Sequence, residues 1–199
     1  MFAISPARQT LLLALLALAV LFPGIWQATG LAGKDEFFLG LRTPMEMIAG
    51  HHWLVPFLDE APRIRKPPLL YWMGRASFEA FGASLVSARM IGIAFATLLI
   101  VSTAGIARRL SGKPLTGWIA GGILLGCLGI ATEGRRFMLD VPVAALSTAA
   151  FWTFLLWLDL RRFYWLTATT LLLVAGFLVK GPIVALVFGG GCLALLLTG

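Results

Sequence analysis

Four short polar islands interrupt an otherwise apolar chain: Lys34-Asp35-Glu36, Arg65-Lys66-Pro67-Pro68, Arg135-Arg136 running on to Asp140-Val141-Pro142, and Lys180-Gly181-Pro182. Asp35 and Glu36 directly follow the first apolar run. A carboxylate there can take a proton from an acceptor hydroxyl or amine, hold a cation, or simply be a solvated loop acid. Arg65 and Lys66 place two cations ahead of a rigid Pro67-Pro68 turn. They can grip a phosphate by charge-assisted hydrogen bonds. Tyr71 and Trp72, just beyond, suit a lipid head-group layer, so a plain membrane anchor fits this spacing equally well.

Asp140 with Pro142 reads as a helix start, with Asp140 as N-cap and Pro142 in the first turn. Capping leaves Arg135 and Arg136 unexplained, and two arginines beside a helix N-terminus favour an anion. Lys180 stands between two apolar runs. It reads either as a cation at the negative end of a helix dipole, before a Gly181 cap, or as a functional intramembrane charge. No metal or other cofactor is expected. His51 and His52 are adjacent in a loop with no Cys or acid at ligand spacing, and Cys127 and Cys192 are isolated thiols in apolar runs.

The elements that must hold these groups are membrane helices. Hydrophobic residues make up 59% of the 199 and charged residues 13%. The mean hydropathy is +0.91, far more apolar surface than a soluble domain needs. The net charge of +7 then points to anionic lipid head groups or phosphate substrates and not to nucleic acid. The expected fold is all-α, a polytopic bundle in a single domain. Apolar runs place six spans at roughly 10–29, 84–107, 115–132, 141–160, 163–179 and 182–198. The first run, Leu11 to Trp26, follows Arg8 as a signal sequence would. It lacks a small-x-small cleavage site, so it reads as a retained span.

Leu69 to Phe81 decides the parity. Thirteen residues reach only about 20 Å as a helix, too short to cross, so an interfacial helix with Arg75 and Glu79 at i, i+4 is expected. Asp35, Lys66, Asp140 and Lys180 then share one face. Arg8, Arg108, Arg109, Lys113, Arg161 and Arg162 share the other, which the basic loops assign to the cytoplasm. The opposite face is also basic (Arg42, Arg63, Arg65, Lys66, Arg135, Arg136), as an anion-binding face would be. The outer loop, 30–83, is rich in proline up to Pro68. A short helix at Thr43–Ala49 is expected there, with Thr43 as N-cap and Pro44 at N1. Trp53, Leu54, Val55, Phe57 and Leu58 are candidates to dip into the interface.

Taken in order, these islands resemble the start of a GT-C-type polyprenyl-phosphate-sugar glycosyltransferase. The likeness is to the protein mannosyltransferase and lipid A aminoarabinose transferase family, in its N-terminal part. The matching elements are Asp35-Glu36 after a first span, Lys66-Pro67-Pro68-Leu69-x-Tyr71-Trp72, an Arg136-to-Pro142 segment and Lys180-Gly181-Pro182. Two positions depart from the pattern: Phe37-Phe38-Leu39 follows Glu36 where the family often has a cation and Tyr, and Arg65 stands where aminoarabinose transferases often have Glu. The resemblance implies Asp35 as base and Asp140 as a second catalytic carboxylate that orients the acceptor or a lysine. It implies Glu36, Arg65, Lys66, Tyr71, Arg135, Arg136 and Lys180 as substrate-binding residues. It also implies a polyprenyl-phosphate-linked sugar donor, a lipid or protein acceptor, membrane-lipid partners, and a site on the outer face of a bacterial inner membrane. It leaves open a fragment or a shortened homologue of a larger fold. The competing expectation is a non-enzymatic polyprenyl-phosphate binder, transporter or scaffold. Arg89 is the main charge inside a span, whereas most charges sit at span ends, as interfacial chemistry requires.

Overall fold

The computed structural model describes residues 5–27 and 35–198; Gly30, Gly33 and Lys34 lie outside the described residues. The fold is an all-α membrane bundle. Helix α1 (Pro6–Leu21) starts from a Ser5 N-cap, whose hydroxyl accepts from the Arg8 N–H. A π-helix (Glu36–Arg42) runs straight into α2 (Thr43–Ala49). A two-residue antiparallel ribbon follows, β1 (Phe57–Leu58) with β2 (Ala61–Pro62), and then α3 (Leu69–Phe81). The remaining helices are α4 (Leu85–Ser111), α5 (Pro114–Gly126), α6 (Leu128–Glu133), α7 (Asp140–Leu160), α8 (Phe163–Lys180) and α9 (Ile183–Thr198). Helices α4, α7 and α8 are long and apolar enough to cross a membrane; α1, α5 and α9 are shorter apolar helices.

Three local expectations are corrected. Thr43 is not an N-cap. It lies inside one continuous helical run, and its hydroxyl donates back to the Phe38 carbonyl at 2.9 Å. Pro44 supplies the reason: it has no N–H, and its ring crowds the carbonyl four residues back, so the preceding turns widen to π geometry. The expected span 115–132 is two helices that break at an extended Cys127, with Gly126 just before it and Gly129 two residues after. Asp140 makes no capping hydrogen bond; it is the first residue of α7, with Leu139 before it.

Side-chain contacts define two ends of the bundle. At one end, the Gln9 amide donates to the Pro114 carbonyl at 2.7 Å, Arg108 reaches Gln9 and the Pro6 carbonyl, and Arg109 pairs with Asp159. At the other end lie the close of α1, residues 35–82, the segment from α6 to α7, and Lys180. Helix α3 stays there: the Trp72 indole donates to the Leu54 carbonyl at its start, and the Ser77 hydroxyl donates to the Ser87 carbonyl near its finish.

The core lies between α4 and α7, against α1 and α3. It holds Ala88, Ile93, Ala96 and Ile100 of α4 with Ala145, Leu146 and Leu155 of α7. Small residues let the backbones approach closely, as membrane helices require. A Cβ added at Gly105 would meet the Trp152 ring at 2.3 Å, and one at Gly92 would meet the Arg136 carbonyl oxygen at 2.3 Å. The second approach pins the segment before α7 onto α4.

Candidate active site

At the end of the bundle that carries the long loop, the sequence places two acids, Asp35 and Glu36, at the head of the π-helix and a basic segment before α7. Long-range contacts join them. The carboxylate of Glu36 is 1% exposed and the guanidinium of Arg89 is 4% exposed. Arg89 Nε donates to Glu36 Oε1 and Nη2 donates to Oε2, both at 2.9 Å. The third nitrogen, Nη1, donates to the carbonyls of Ile25 and Gln27 at 2.8 and 2.9 Å. The Phe137 backbone N–H donates to Glu36 Oε1 at 3.3 Å. One buried ion pair thus ties together the end of α1, the outer loop, α4 and the segment leading to α7. A buried pair is tolerable because hydrogen bonds satisfy both partners. Glu36 is therefore enclosed in protein, while its neighbour Asp35 is exposed.

The Phe137 ring, 1% exposed, completes the joint. It fits where Gly40 and Gly74 leave room: a Cβ at Gly40 would stand 3.0 Å from the ring and one at Gly74 2.9 Å. Arg75 of α3, also buried, donates to the Met47 and His52 carbonyls, pairs with Glu79 at 3.0 Å and lies over the Trp53 ring at 3.9 Å. That arginine fastens the loop to α3.

The remaining residues singled out from the sequence fall around this joint. Asp140 at the start of α7 forms an ion pair with Lys180 at the end of α8. Gly181 follows with φ 78 and closes α8, its N–H donating to the Phe177 carbonyl at 2.7 Å. The Lys180–Gly181–Pro182 break thus serves both as a helix stop and as the mount for a cation facing a carboxylate. Arg135 donates to the Val20 and Pro23 carbonyls at the close of α1. Arg136 pairs with Glu133 at 2.7 Å. A cavity of about 550 Å³ lies beside them, lined in part by Gln27, Arg89, Thr132, Arg135 and Arg136.

Arg65 and Lys66 are exposed on the loop. Tyr71 is buried instead, and its hydroxyl accepts from Arg63 Nε at 3.3 Å, so it braces the basic segment from beneath. Arg89, Phe137 and Arg75 were not singled out as site residues from sequence. The available signal was an arginine inside an apolar span, which needs a partner.

Among the described residues, no group of three or more His, Cys, Asp or Glu side chains is placed to hold a metal ion. His51 is exposed, and His52 stacks on Phe57 with ring centroids 3.8 Å apart. What the arrangement offers is an exposed carboxylate, a carboxylate–ammonium pair and loop cations on one end of a membrane bundle.

The chain resembles known proteins along most of its length. It is 30% identical over 148 residues to the polyprenol-phosphate-mannose–protein mannosyltransferase of Corynebacterium glutamicum, covering 71% of this chain and 28% of that protein. It is 33% identical over 98 residues to an uncharacterized protein of Aquifex aeolicus, covering 47% of this chain and 23% of that one. The fold matches the apo crystal structure of ArnT from Cupriavidus metallidurans with a TM-score of 0.76 at 22% identity, covering 89% of this chain and 34% of that one. It matches the ArnT structure bound to undecaprenyl phosphate with a TM-score of 0.75 at 23% identity, covering 88% and 33%. The chain therefore spans between about a quarter and a third of the length of these relatives. The sequence model of the dolichyl-phosphate-mannose-protein mannosyltransferases matches residues 65–199, from the loop cations through Asp140 and Lys180 to the last residue, and the chain belongs to that family.

Proposed function

We propose that this chain carries the site at which a membrane glycosyltransferase moves a sugar from a polyprenyl-phosphate donor to a lipid or protein acceptor. In this reading the site faces the exterior of a bacterial plasma membrane. The observation that carries it is the gathering of exposed Asp35, the Arg65–Lys66 segment and the Asp140–Lys180 pair on one end of the bundle, in a chain of the mannosyltransferase family.

The chemistry follows from these groups. The acceptor oxygen or nitrogen forms a bond to the anomeric carbon as the bond from that carbon to the phosphate oxygen breaks. Asp35 takes the acceptor proton, and the polyprenyl phosphate leaves with the bonding electron pair. The donor already has a good leaving group, so the site needs a base and charge stabilisation more than a strong acid. Arg65 and Lys66 neutralise the departing phosphate. Asp140, held by Lys180, orients the acceptor, while Lys180 adds positive charge. Glu36 serves by fixing the backbone next to Asp35 and has no free oxygen to spare for substrate.

The test is transfer of radiolabelled sugar from a polyprenyl-phosphate donor in membranes containing the natural full-length protein. Incorporation into the lipid or protein fraction, lost on replacing Asp140 and Lys180 together, supports the reading. Unchanged incorporation in that double variant overturns the assignment of the site.

A further inference from the structure

The loop tip carries large apolar side chains that the chain itself does not cover. Ile64 is 84% exposed and Leu54 77%, with Trp53 and Val55 also exposed. They are not loose ends. The Leu54 carbonyl accepts from the Trp72 indole at 3.2 Å, the Arg63 N–H donates to the Pro56 carbonyl at 2.7 Å, and Trp53 is held under Arg75. The fold therefore presents this apolar tip in a fixed shape, and exposing it in water costs free energy that a covering surface would recover.

The tip is also interleaved with cations. A groove of about 330 Å³ is lined by Leu54 and Val55 together with Arg63, Ile64, Arg65 and Lys66, and no acidic residue lines it among the described residues. Two acids sit at the ribbon turn instead, Asp59 and Glu60. Asp59 borders the adjoining hollow and is taken by Arg42 at 2.5 Å, while Glu60 lies beside Glu46 in a separate pocket with Arg42. Exposed aliphatic side chains alternating with cations that have no acidic partner among the described residues match an anionic lipid surface, where the apolar groups enter the acyl boundary and the cations meet phosphates. The position agrees: exposed Phe22 and Trp26 close α1 at this same end of the bundle, as aromatic residues do at the head-group level.

We propose that Trp53–Val55 together with Arg63–Arg65 form a docking surface for the anionic head-group layer of the surrounding membrane. The surface fixes the depth of the adjoining Lys66. The inference stands on exposure and charge, and it does not depend on the transfer reaction.

The test uses the full chain, with Cys127→Ala and Cys192→Ala, carrying a bimane-labelled cysteine at Leu54→Cys or Ile64→Cys. It is reconstituted in vesicles of phosphatidylcholine, or of equal parts phosphatidylcholine and phosphatidylglycerol. Quenching by a head-group spin-labelled lipid is compared with quenching by iodide. The lipid quencher is expected to act on both positions, and more strongly with phosphatidylglycerol present. Arg63→Gln and Arg65→Gln, separately, are each expected to reduce the phosphatidylglycerol-dependent partitioning about fivefold. Quenching by iodide alone overturns the proposal. So does lipid quenching that ignores phosphatidylglycerol and both arginine variants. Protection from both quenchers also overturns it, because a protein surface would then cover the tip.

Discussion

Glu36 and Arg89 lie 53 residues apart in sequence and meet in a buried, two-pronged ion pair that closes the loop-bearing end of the bundle. Removing either partner leaves the other charge buried without compensation, which costs about 3–5 kcal/mol. Arg89→Met and Glu36→Gln are each expected to lower the midpoint of thermal unfolding in detergent. The double variant should be less destabilised than the sum of the two, because no orphaned charge remains. Arg89→Lys should rescue poorly: an ammonium cannot hold both carboxylate oxygens and two backbone carbonyls in one plane. A strictly additive double-mutant cycle would remove the pair from its role as the joint.

Phe137 gives a second, independent test of the same joint. Its ring occupies space left by Gly40 and Gly74, and the backbone beside it rests on Gly92. Phe137→Ala is expected to cost about 3–5 kcal/mol through the cavity left behind. Gly92→Val, whose first carbon would overlap the Arg136 carbonyl, should shift the segment before α7 and raise hydrogen exchange there. Native exchange rates at residues 134–140 in Gly92→Val would contradict that packing.

Much of the architecture was legible in the sequence because membrane helices write themselves as long apolar runs. The limits of α3 at Leu69 and Phe81 follow from Pro68 before it and Gly82 after it, and the Lys180–Gly181–Pro182 break ends α8 by local chemistry alone. What escaped was set by contacts distant in sequence or by backbone detail. Nothing near Glu36 announces Arg89, and the Phe137 socket needs three chain segments to exist. The break at Cys127 depends on weak helix formers within an apolar run that also reads as continuous. For the site, Asp140 reads locally as a cap because Pro142 stands two residues on; a lysine partner is implied only by the family resemblance, and that partner is Lys180, forty residues on.

Lys66 stands exposed beside Arg65, on a loop stiffened by Pro67 and Pro68. If it grips the donor phosphate, Lys66→Met removes one charge-assisted hydrogen bond and weakens polyprenyl-phosphate binding by about 1.5–3 kcal/mol. Calorimetric titration in detergent checks this. Undiminished affinity in the Lys66→Met, Arg65→Gln double variant would reduce the segment to a lipid anchor.

The two ends of the bundle make a topological prediction. Cysteines at positions 35, 66 and 135 should react with an impermeant maleimide from outside intact cells. Those at 109 and 161 should react only after permeabilisation. The basis is structural: Glu36 touches Phe137, while Arg109 touches Asp159 at the far end. Labelling of 35 and 135 from opposite sides would separate the carboxylate from the rest of the site.

Asp35 carries the most demanding prediction. Its neighbour Glu36 is locked by Arg89, so the backbone that presents Asp35 is fixed while the Asp35 side chain itself stays exposed. Asp35→Asn keeps the size and polarity but cannot accept the acceptor's proton. Transfer by the full-length protein should fall by about 10²–10⁴ if Asp35 is the general base, with donor affinity and thermal stability unchanged. Glu36→Gln should show the converse pattern: lost stability, and a rate loss that follows from misplacement of Asp35. The pair of variants therefore separates chemistry from positioning. Full activity of Asp35→Asn, in protein whose folding matches the parent, would move the base role to Asp140 and leave Asp35 as a loop acid.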